Sequence, residues 1–144
     1  MKKLDPENLF SIFSLSDEEI AQEERFDFDF RTHPYIIIGM VKKGVENFDL
    51  MSEVYTRREG EEFTLVEEEV KLKYYTTLYG YLRRFNYQSI EHIEQALRHD
   101  VYEIGYALIE MRVLFEKYED YEKCARIRDV FESIDMGAEL LNRK

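Results

Sequence analysis

Histidine and cysteine are the side chains of this sequence with the widest chemical use, and both are scarce. The three histidines are His33, His92 and His99, and the one cysteine is Cys124. His92 and His99 lie seven residues apart and can share a helix face, and Glu103 follows His99 by four residues. A metal site inside a helical bundle typically uses Glu-x-x-His pairs, and this sequence contains none. We therefore expect no metal and no cofactor, with His92 and His99 partly exposed.

Cys124, the one cysteine, is the side chain to consider as a catalytic nucleophile. A reactive cysteine needs a nearby base and a positive environment. Cys124 instead falls on an apolar stripe, which favours packing, and no Ser-His-Asp arrangement has a supporting local motif. The sequence predicts a protein that is not an enzyme.

Arg83 and Arg84 lie near several tyrosines, a combination that single-stranded nucleic-acid sites use for charge and stacking. The alternative is the C-terminal end of a helix with a half-buried aromatic face. The chain has 20 Lys and Arg against 31 Asp and Glu, a net charge of −11. This balance favours the helix end and argues against nucleic acid and membrane surfaces as ligands. It leaves a basic protein partner, or mimicry of nucleic acid.

The composition is that of one globular domain. The chain has 144 residues, 44% of them apolar, and contains 11 Tyr, 10 Phe and no Trp. Such an aromatic excess suits half-buried surfaces and interfaces. One cysteine allows no intrachain disulfide, the first residues lack a signal-peptide pattern, and the longest apolar run, residues 35–41, is too short for a bilayer. We expect a cytoplasmic protein, of a cell or of a virus-infected cell, or a virion component.

Residues 1–33 are predicted to form an acidic arm with short helices. The run from Arg25 to Arg31 alternates charged residues with Phe26, Phe28 and Phe30. An extended backbone would place these three rings on one face, where they would dock on the domain or on a partner.

Residues 34–144 are predicted to form a helical domain, with helices at about 34–55, 65–85, 89–117 and 120–134. In the first helix, the β-branched run Ile36–Ile38 leaves a short strand as an alternative. The second begins with the capping-box spacing of Thr64 and Glu67. Met136–Gly137 is expected to end or kink the last helix.

The clearest pattern is a nearly heptad stripe at the C-terminal end, with spacings of 3, 4, 4, 3, 4, 3 and 4. Its members are Ile90, Ile93, Leu97, Val101, Ile104, Leu108, Met111 and Phe115. An interruption of the helix at His99–Asp100 is left open, and the phase of the stripe is unchanged there. A second stripe follows the polar turn at 118–120, which predicts a long antiparallel helical hairpin. The first stripe needs a cover, from helices 65–85 and 120–134 or from self-association.

The start of the last helix reads Glu-Asp-Tyr-Glu-Lys-Cys-Ala-Arg-Ile-Arg-Asp over residues 119–129. With the preceding stripe, this run resembles the UVR motif over about residues 101–134, although Cys124 replaces a common alanine and Ile127 a common leucine. The resemblance implies protein–protein contact, as in the similar hairpins of excision-repair subunits and of an activator of a protein-arginine kinase. The phosphate-binding loop and the paired CxxC motifs of those proteins are absent from this sequence, so only a hairpin and an interaction role carry over.

Together these patterns predict a mainly α protein, a small helical bundle with a long C-terminal antiparallel helical hairpin and an acidic, partly extended N-terminal arm. The expected function is non-enzymatic interaction or assembly, as an adaptor or a structural accessory component, with a composition similar to that of phage-encoded accessory proteins. The alternative is an acidic inhibitor that mimics nucleic acid, suggested by the charge near residues 5–29. The candidate partner-binding residues are Phe26, Phe28, Phe30, Tyr121, Arg126, Arg128 and Asp129.

Overall fold

The computed structural model describes residues 30–142, and this part of the chain is a bundle of five helices without a strand. A 3-10 turn at Phe30–Thr32 comes first. The helices are α1 (Pro34–Glu59), α2 (Glu61–Leu82), α3 (Ile90–Ala96), α4 (Val101–Lys117) and α5 (Tyr121–Asn142). The prediction of a mainly α bundle is confirmed.

Helices α1 and α2 form an antiparallel hairpin with a single residue, Gly60, between them. Gly60 has a φ of 57°, a left-handed conformation that glycine adopts without strain. The contacts pair positions in opposite order along the two helices: the Tyr55 ring stacks on Phe63 at 5.6 Å, and Ser52 Oγ donates a hydrogen bond to Glu67 Oε1 at 2.6 Å. The pairing sets the register of the hairpin.

The first turn of α1 excludes the strand that Ile36–Ile38 left open. Pro34 occupies the first helical turn, and Ile37 N donates a hydrogen bond to His33 O at 2.9 Å. Ile37 and Ile38 are buried in the core, so packing overrides their β propensity. The helix also runs to Glu59, four residues beyond the predicted end.

The capping box predicted at Thr64 is wrong. Helix α2 begins at Glu61, so Thr64 lies inside the helix, and its Oγ1 donates to Gly60 O at 3.2 Å. The tight turn at Gly60 decides where the helix begins. It ends at Leu82, and Phe85 packs in the core beyond its end.

Helices α4 and α5 form the predicted C-terminal hairpin, which turns at residues 118–120. Glu119 has a φ of 57°, and Asp120 N donates a hydrogen bond to Phe115 O at 2.9 Å. Farther along, Cys124 Sγ lies 3.6 Å from Arg112 O, on the facing helix.

The single helix predicted over 89–117 is wrong, because the chain breaks between Ala96 and Val101. Asp100 is the N-cap of α4: its Oδ1 accepts hydrogen bonds from Tyr102 N at 2.9 Å and Glu103 N at 3.2 Å. A capping side chain that satisfies two free N–H groups favours a new helix start over continuation. The predicted stripe is therefore split between two helices, and Ile90 at its start is 77% exposed.

The predicted end of the last helix at Met136–Gly137 is also wrong, since α5 continues to Asn142. A Cβ atom at Gly137 would lie 2.6 Å from Ile93 Cγ2 and 3.3 Å from Leu97 Cδ1. The glycine thus allows α3 to pack closely against α5, and it does not cap the helix.

The buried part of the stripe holds the two hairpins together. It consists of Ile104, Leu108, Met111 and Phe115, which we call the inner seam. Helices α1, α2 and α5 all pack against α4, so the inner seam is covered within the described part of the chain. Self-association is not needed to bury it.

Two glycines give a matched test of the α1–α2 packing. A Cβ atom at Gly44 would lie 2.8 Å from Leu78 Cδ1 and 3.1 Å from its Cγ, whereas one at Gly80 meets nothing within 4 Å. We expect Gly44→Ala to destabilise the protein by about 1–3 kcal/mol through overpacking. Gly80→Ala should stabilise it by about 0.5–1 kcal/mol through helix propensity. Urea unfolding of both variants checks this, and equal effects would contradict the register described above.

Candidate functional site: the outer face of helix α4

His92 and His99, the two histidines considered as metal ligands, make internal contacts. His92 Nδ1 accepts a hydrogen bond from Asn86 N at 3.0 Å. The His99 ring stacks on Tyr35 at 4.1 Å, and its Nε2 donates to Tyr35 O at 2.8 Å. Burial, with Lys42 and Arg98 nearby, lowers the pKa of His99 despite that hydrogen bond. Within residues 30–142, no three His, Cys, Asp or Glu side chains are placed to hold a metal ion.

Cys124 is half-buried between α4 and α5, as its place on the apolar stripe predicted. Burial raises the pKa of its thiol, and the carboxylates of Glu116 and Asp120 raise it further. A raised pKa keeps the thiol protonated at neutral pH, which disfavours nucleophilic chemistry.

The UVR-like residues divide between solvent and the interior of the molecule. Tyr121 is 63% exposed, and Arg128 lies 3.7 Å from its neighbour Asp129 at the surface. Arg126 instead donates hydrogen bonds to Arg83 O at 2.8 Å and to a second carbonyl at 3.2 Å, at the C-terminal end of α2. Its guanidinium therefore satisfies helix-end carbonyls, the role that the dipole favours for a cation.

The phenylalanine arm falls largely outside the described residues. Phe26 and Phe28 lie there, as does the acidic segment near residues 5–29. The backbone of Phe30 belongs to the 3-10 turn Phe30–Thr32 and not to an extended strand.

Helix α4 carries a second stripe, not among the residues predicted to bind a partner, on the face opposite the inner seam. Its members are exposed, with Tyr102 at 90%, Tyr106 at 53%, Ile109 at 42% and Val113 at 55%. We call these four residues the outer seam. They repeat the 4, 3, 4 spacing of the inner seam, displaced by two residues. That repetition in Val101–Lys117 was the signal available in the sequence.

A helix that is apolar on two opposite faces normally lies inside a protein. The inner seam of α4 is in the core, whereas its outer seam faces solvent within the described part of the chain. An uncovered large apolar stripe is typical of a surface that binds another molecule. The outer seam is therefore the strongest candidate for a functional surface.

Open grooves flank Tyr102 and Tyr106 of the outer seam on both sides. The groove towards α1 has a volume of about 380 Å³ and includes Leu50, which is 56% exposed. The groove towards α5 has a volume of about 370 Å³ and includes Phe131. A Cβ atom at Gly105 would lie 3.2 Å from Phe131 Cε2, so this glycine lets the ring lie against the α4 backbone. The outer seam and the two grooves together form one apolar face across α1, α4 and α5.

Carboxylates outnumber cations around this face. The linings of the two grooves contain four carboxylates and one ammonium group, which belong to Glu46, Asp49, Glu103, Asp135 and Lys42. Glu110 adds a fifth carboxylate beside Ile109 on α4. Tyr106 donates a hydrogen bond to Asp49 Oδ2 at 3.2 Å. The Asp49 charge raises the pKa of Tyr106, and partial burial and Glu110 raise it further.

The Tyr75 side chain lies in the core, near the carboxylates of Asp49 and Glu110. It is fully buried, and its hydroxyl makes no hydrogen bond to another described residue. Burial raises the pKa of Tyr75 strongly, and the charges of Asp49 and Glu110 raise it further. Burial also raises the pKa of neighbouring Tyr74 to about 12.

A third exposed groove, of about 420 Å³, lies between α3 and α5, away from the outer seam, and contains Ile90, Met136 and Leu140. The only acidic or basic side chain that lines it is Glu94. Its residues come from separate elements and do not form one helical seam. It indicates less about a partner than the outer seam does.

Comparison of the chain with family models, curated proteins and solved structures found no match. The UVR resemblance therefore stays a prediction. None of the described helices is long and apolar enough to cross a membrane.

The buried tyrosine hydroxyl gives a test of the core below the site. Because the hydroxyl lacks a described partner, Tyr75→Phe should change the free energy of unfolding at pH 7 by no more than about 1 kcal/mol, towards greater stability. Tyrosines with a raised pKa stabilise the fold below about pH 10, and this contribution is lost as the pH rises towards 12. The variant should therefore lose less stability than the parent across that range.

Urea unfolding at pH 7 and at several pH values above 9 measures both effects. Tyr102→Phe is the control, since the Tyr102 side chain is 90% exposed. A loss of several kcal/mol for Tyr75→Phe at pH 7 would mean that its hydroxyl is hydrogen-bonded.

Proposed function

We propose that this chain is a non-enzymatic protein-interaction module, an adaptor or structural accessory component, that binds a partner through the outer seam. The observation that carries the proposal is the exposure of all four outer-seam side chains on a helix whose opposite face is core. Because the inner seam holds α4 in place, the outer seam is presented on a rigid element, which lowers the entropic cost of binding.

The chemistry of the outer seam suits an interface. Tyr102 and Tyr106 combine a large apolar ring with a polar hydroxyl, and tyrosine is enriched at protein–protein contacts. Ile109 and Val113 add aliphatic surface. Complete burial of such a side chain contributes about 1.5–3 kcal/mol relative to exposure, so four of them can anchor a complex.

The remaining features support the same proposal. His92, His99 and Cys124 each make an internal contact, which is what a structural role for them requires. The acidic-mimic alternative rests mainly on residues 5–29, outside the described part. We place the interaction in the cytoplasm of a cell or of an infected cell, or within a virion assembly.

A matched pair of double variants tests the proposal in the native host. Ile109→Ser with Val113→Ser removes half of the outer seam without changing the charge. Val54→Ser with Leu65→Ser is the control, since these side chains are 49% and 85% exposed and belong neither to the outer seam nor to the groove linings. Affinity purification followed by mass measurement of the intact complex gives the readout.

We expect the parent and the control to recover the same partner in a defined stoichiometry. The outer-seam variant should recover at least tenfold less, because a loss of about 1.4 kcal/mol of binding free energy weakens affinity tenfold. Circular dichroism verifies that all three proteins are folded. A partner that is retained by the outer-seam variant, or a parent protein that purifies alone, would contradict the proposal.

A further inference from the structure

We infer that the partner presents a basic amphipathic helix to the outer seam. This inference rests on the proposed function and adds the chemistry of the partner. It follows from three features of the face: its shape, its charge and its aromatic rings.

The shape fits a helix. From Tyr102 to Val113 the outer seam extends about 16 Å, roughly three turns of α4. Its 4, 3, 4 spacing is that of a coiled-coil seam, in which the knobs of one helix enter holes on the other. A peptide that binds by strand addition would need a free sheet edge, and residues 30–142 contain no strand.

The charge selects a basic partner. Lys42 pairs with Glu103 at 2.6 Å, and Lys43 pairs with Glu46 at 3.3 Å. Asp49, on the α1 side, accepts a hydrogen bond from Tyr106 and has no basic partner among the described residues.

Glu110 on α4 and Asp135 on the α5 side are the other carboxylates of the face without a basic partner among the described residues. Farther along α4, Lys117 is engaged with Glu68 of α2, and Arg112 is half-buried, as Glu110 is. A partner helix with Lys or Arg on both sides of its apolar stripe would complement these rims, which sets specificity and the association rate.

The same charges oppose a second copy of this chain as the occupant. In a two-fold antiparallel pair of α4 helices centred on the outer seam, the Glu110 side chains of the two copies would come close together near the centre. The rims carrying Asp49 and Asp135 would meet equally acidic rims. Like charges across an interface disfavour that pairing.

The exposed rings of Tyr102 and Tyr106 add a second attraction for cations. Tyrosine faces in this molecule already hold cations: Arg98 over Tyr35 at 5.0 Å, Lys71 over Tyr75 at 5.4 Å, Lys123 over Tyr79 and Arg126 over Tyr87 at 5.5 Å. Outer-seam rings offer the same cation–π chemistry to Lys and Arg of a partner.

Two designed peptides test the inference on the full chain. Both have three heptads, about 21 residues, with Leu at positions a and d. One carries Lys at positions e and g, and the other carries Glu. Fluorescence anisotropy gives the Kd of each peptide for the parent, for Glu110→Lys and for Glu61→Lys, an exposed α2 residue whose substitution makes the same charge change.

We expect the parent to bind the Lys peptide at least about tenfold more tightly than the Glu peptide, and more weakly as NaCl rises from about 50 to about 500 mM. Glu110→Lys should weaken Lys-peptide binding at least about threefold and strengthen Glu-peptide binding, whereas Glu61→Lys should change neither appreciably. Equal binding of both peptides, or equal effects of the two variants, would overturn the basic partner. A concentration-dependent dimer that excludes both peptides would overturn it in favour of a second copy.

The outer-seam variant Ile109→Ser with Val113→Ser separates the two levels of the argument. If this variant loses peptide binding while the parent binds the Lys and Glu peptides equally, the basic partner is contradicted and the proposed function is left in place. Unchanged Lys-peptide binding in this variant contradicts docking on the outer seam, and with it both proposals.

Discussion

The structure depends on the burial of the inner seam of α4. Ile104, Leu108, Met111 and Phe115 are at most 3% exposed, and helices α1, α2 and α5 pack against α4. Each such side chain contributes roughly 1.5–3 kcal/mol through its burial. Because both hairpins meet on this one helix, α4 is held in a single orientation. The same constraint directs the outer seam outwards, so the core and the candidate docking face are two sides of one helix.

Periodicity predicted the parts of the fold that packing decides. The spacing from Ile104 to Phe115 identified the inner seam, and the polar residues after it identified the turn of the C-terminal hairpin at 118–120. Local signals were less reliable where another constraint competed with them. Thr64 has the spacing of a cap but lies inside α2, because the turn at Gly60 starts the helix earlier. Gly137 looks like a helix end but accommodates Ile93 of α3, a neighbour that is not visible in a local window of sequence.

The functional surface was harder to predict, because α4 carries two stripes of identical spacing. The spacing identified the inner seam, but whether α1 or α5 also covers the outer seam depends on where those helices pack. Asp100 decided the start of α4, and only its capping hydrogen bonds to Tyr102 N and Glu103 N reveal this. Among the residues chosen for partner binding, Arg126 proved to be engaged with α2 carbonyls, while Tyr121 is exposed.

The central claim is that one helix buries one seam and offers the other to a partner. Methyl-resolved NMR of the full chain, titrated with the basic three-heptad peptide, tests it directly. The account predicts that the methyl signals of Ile109 and Val113 shift most, while those of Ile90 and Leu140 in the α3–α5 groove stay unchanged. Shifts confined to Ile90 and Leu140, or no shifts at saturating peptide, would contradict it.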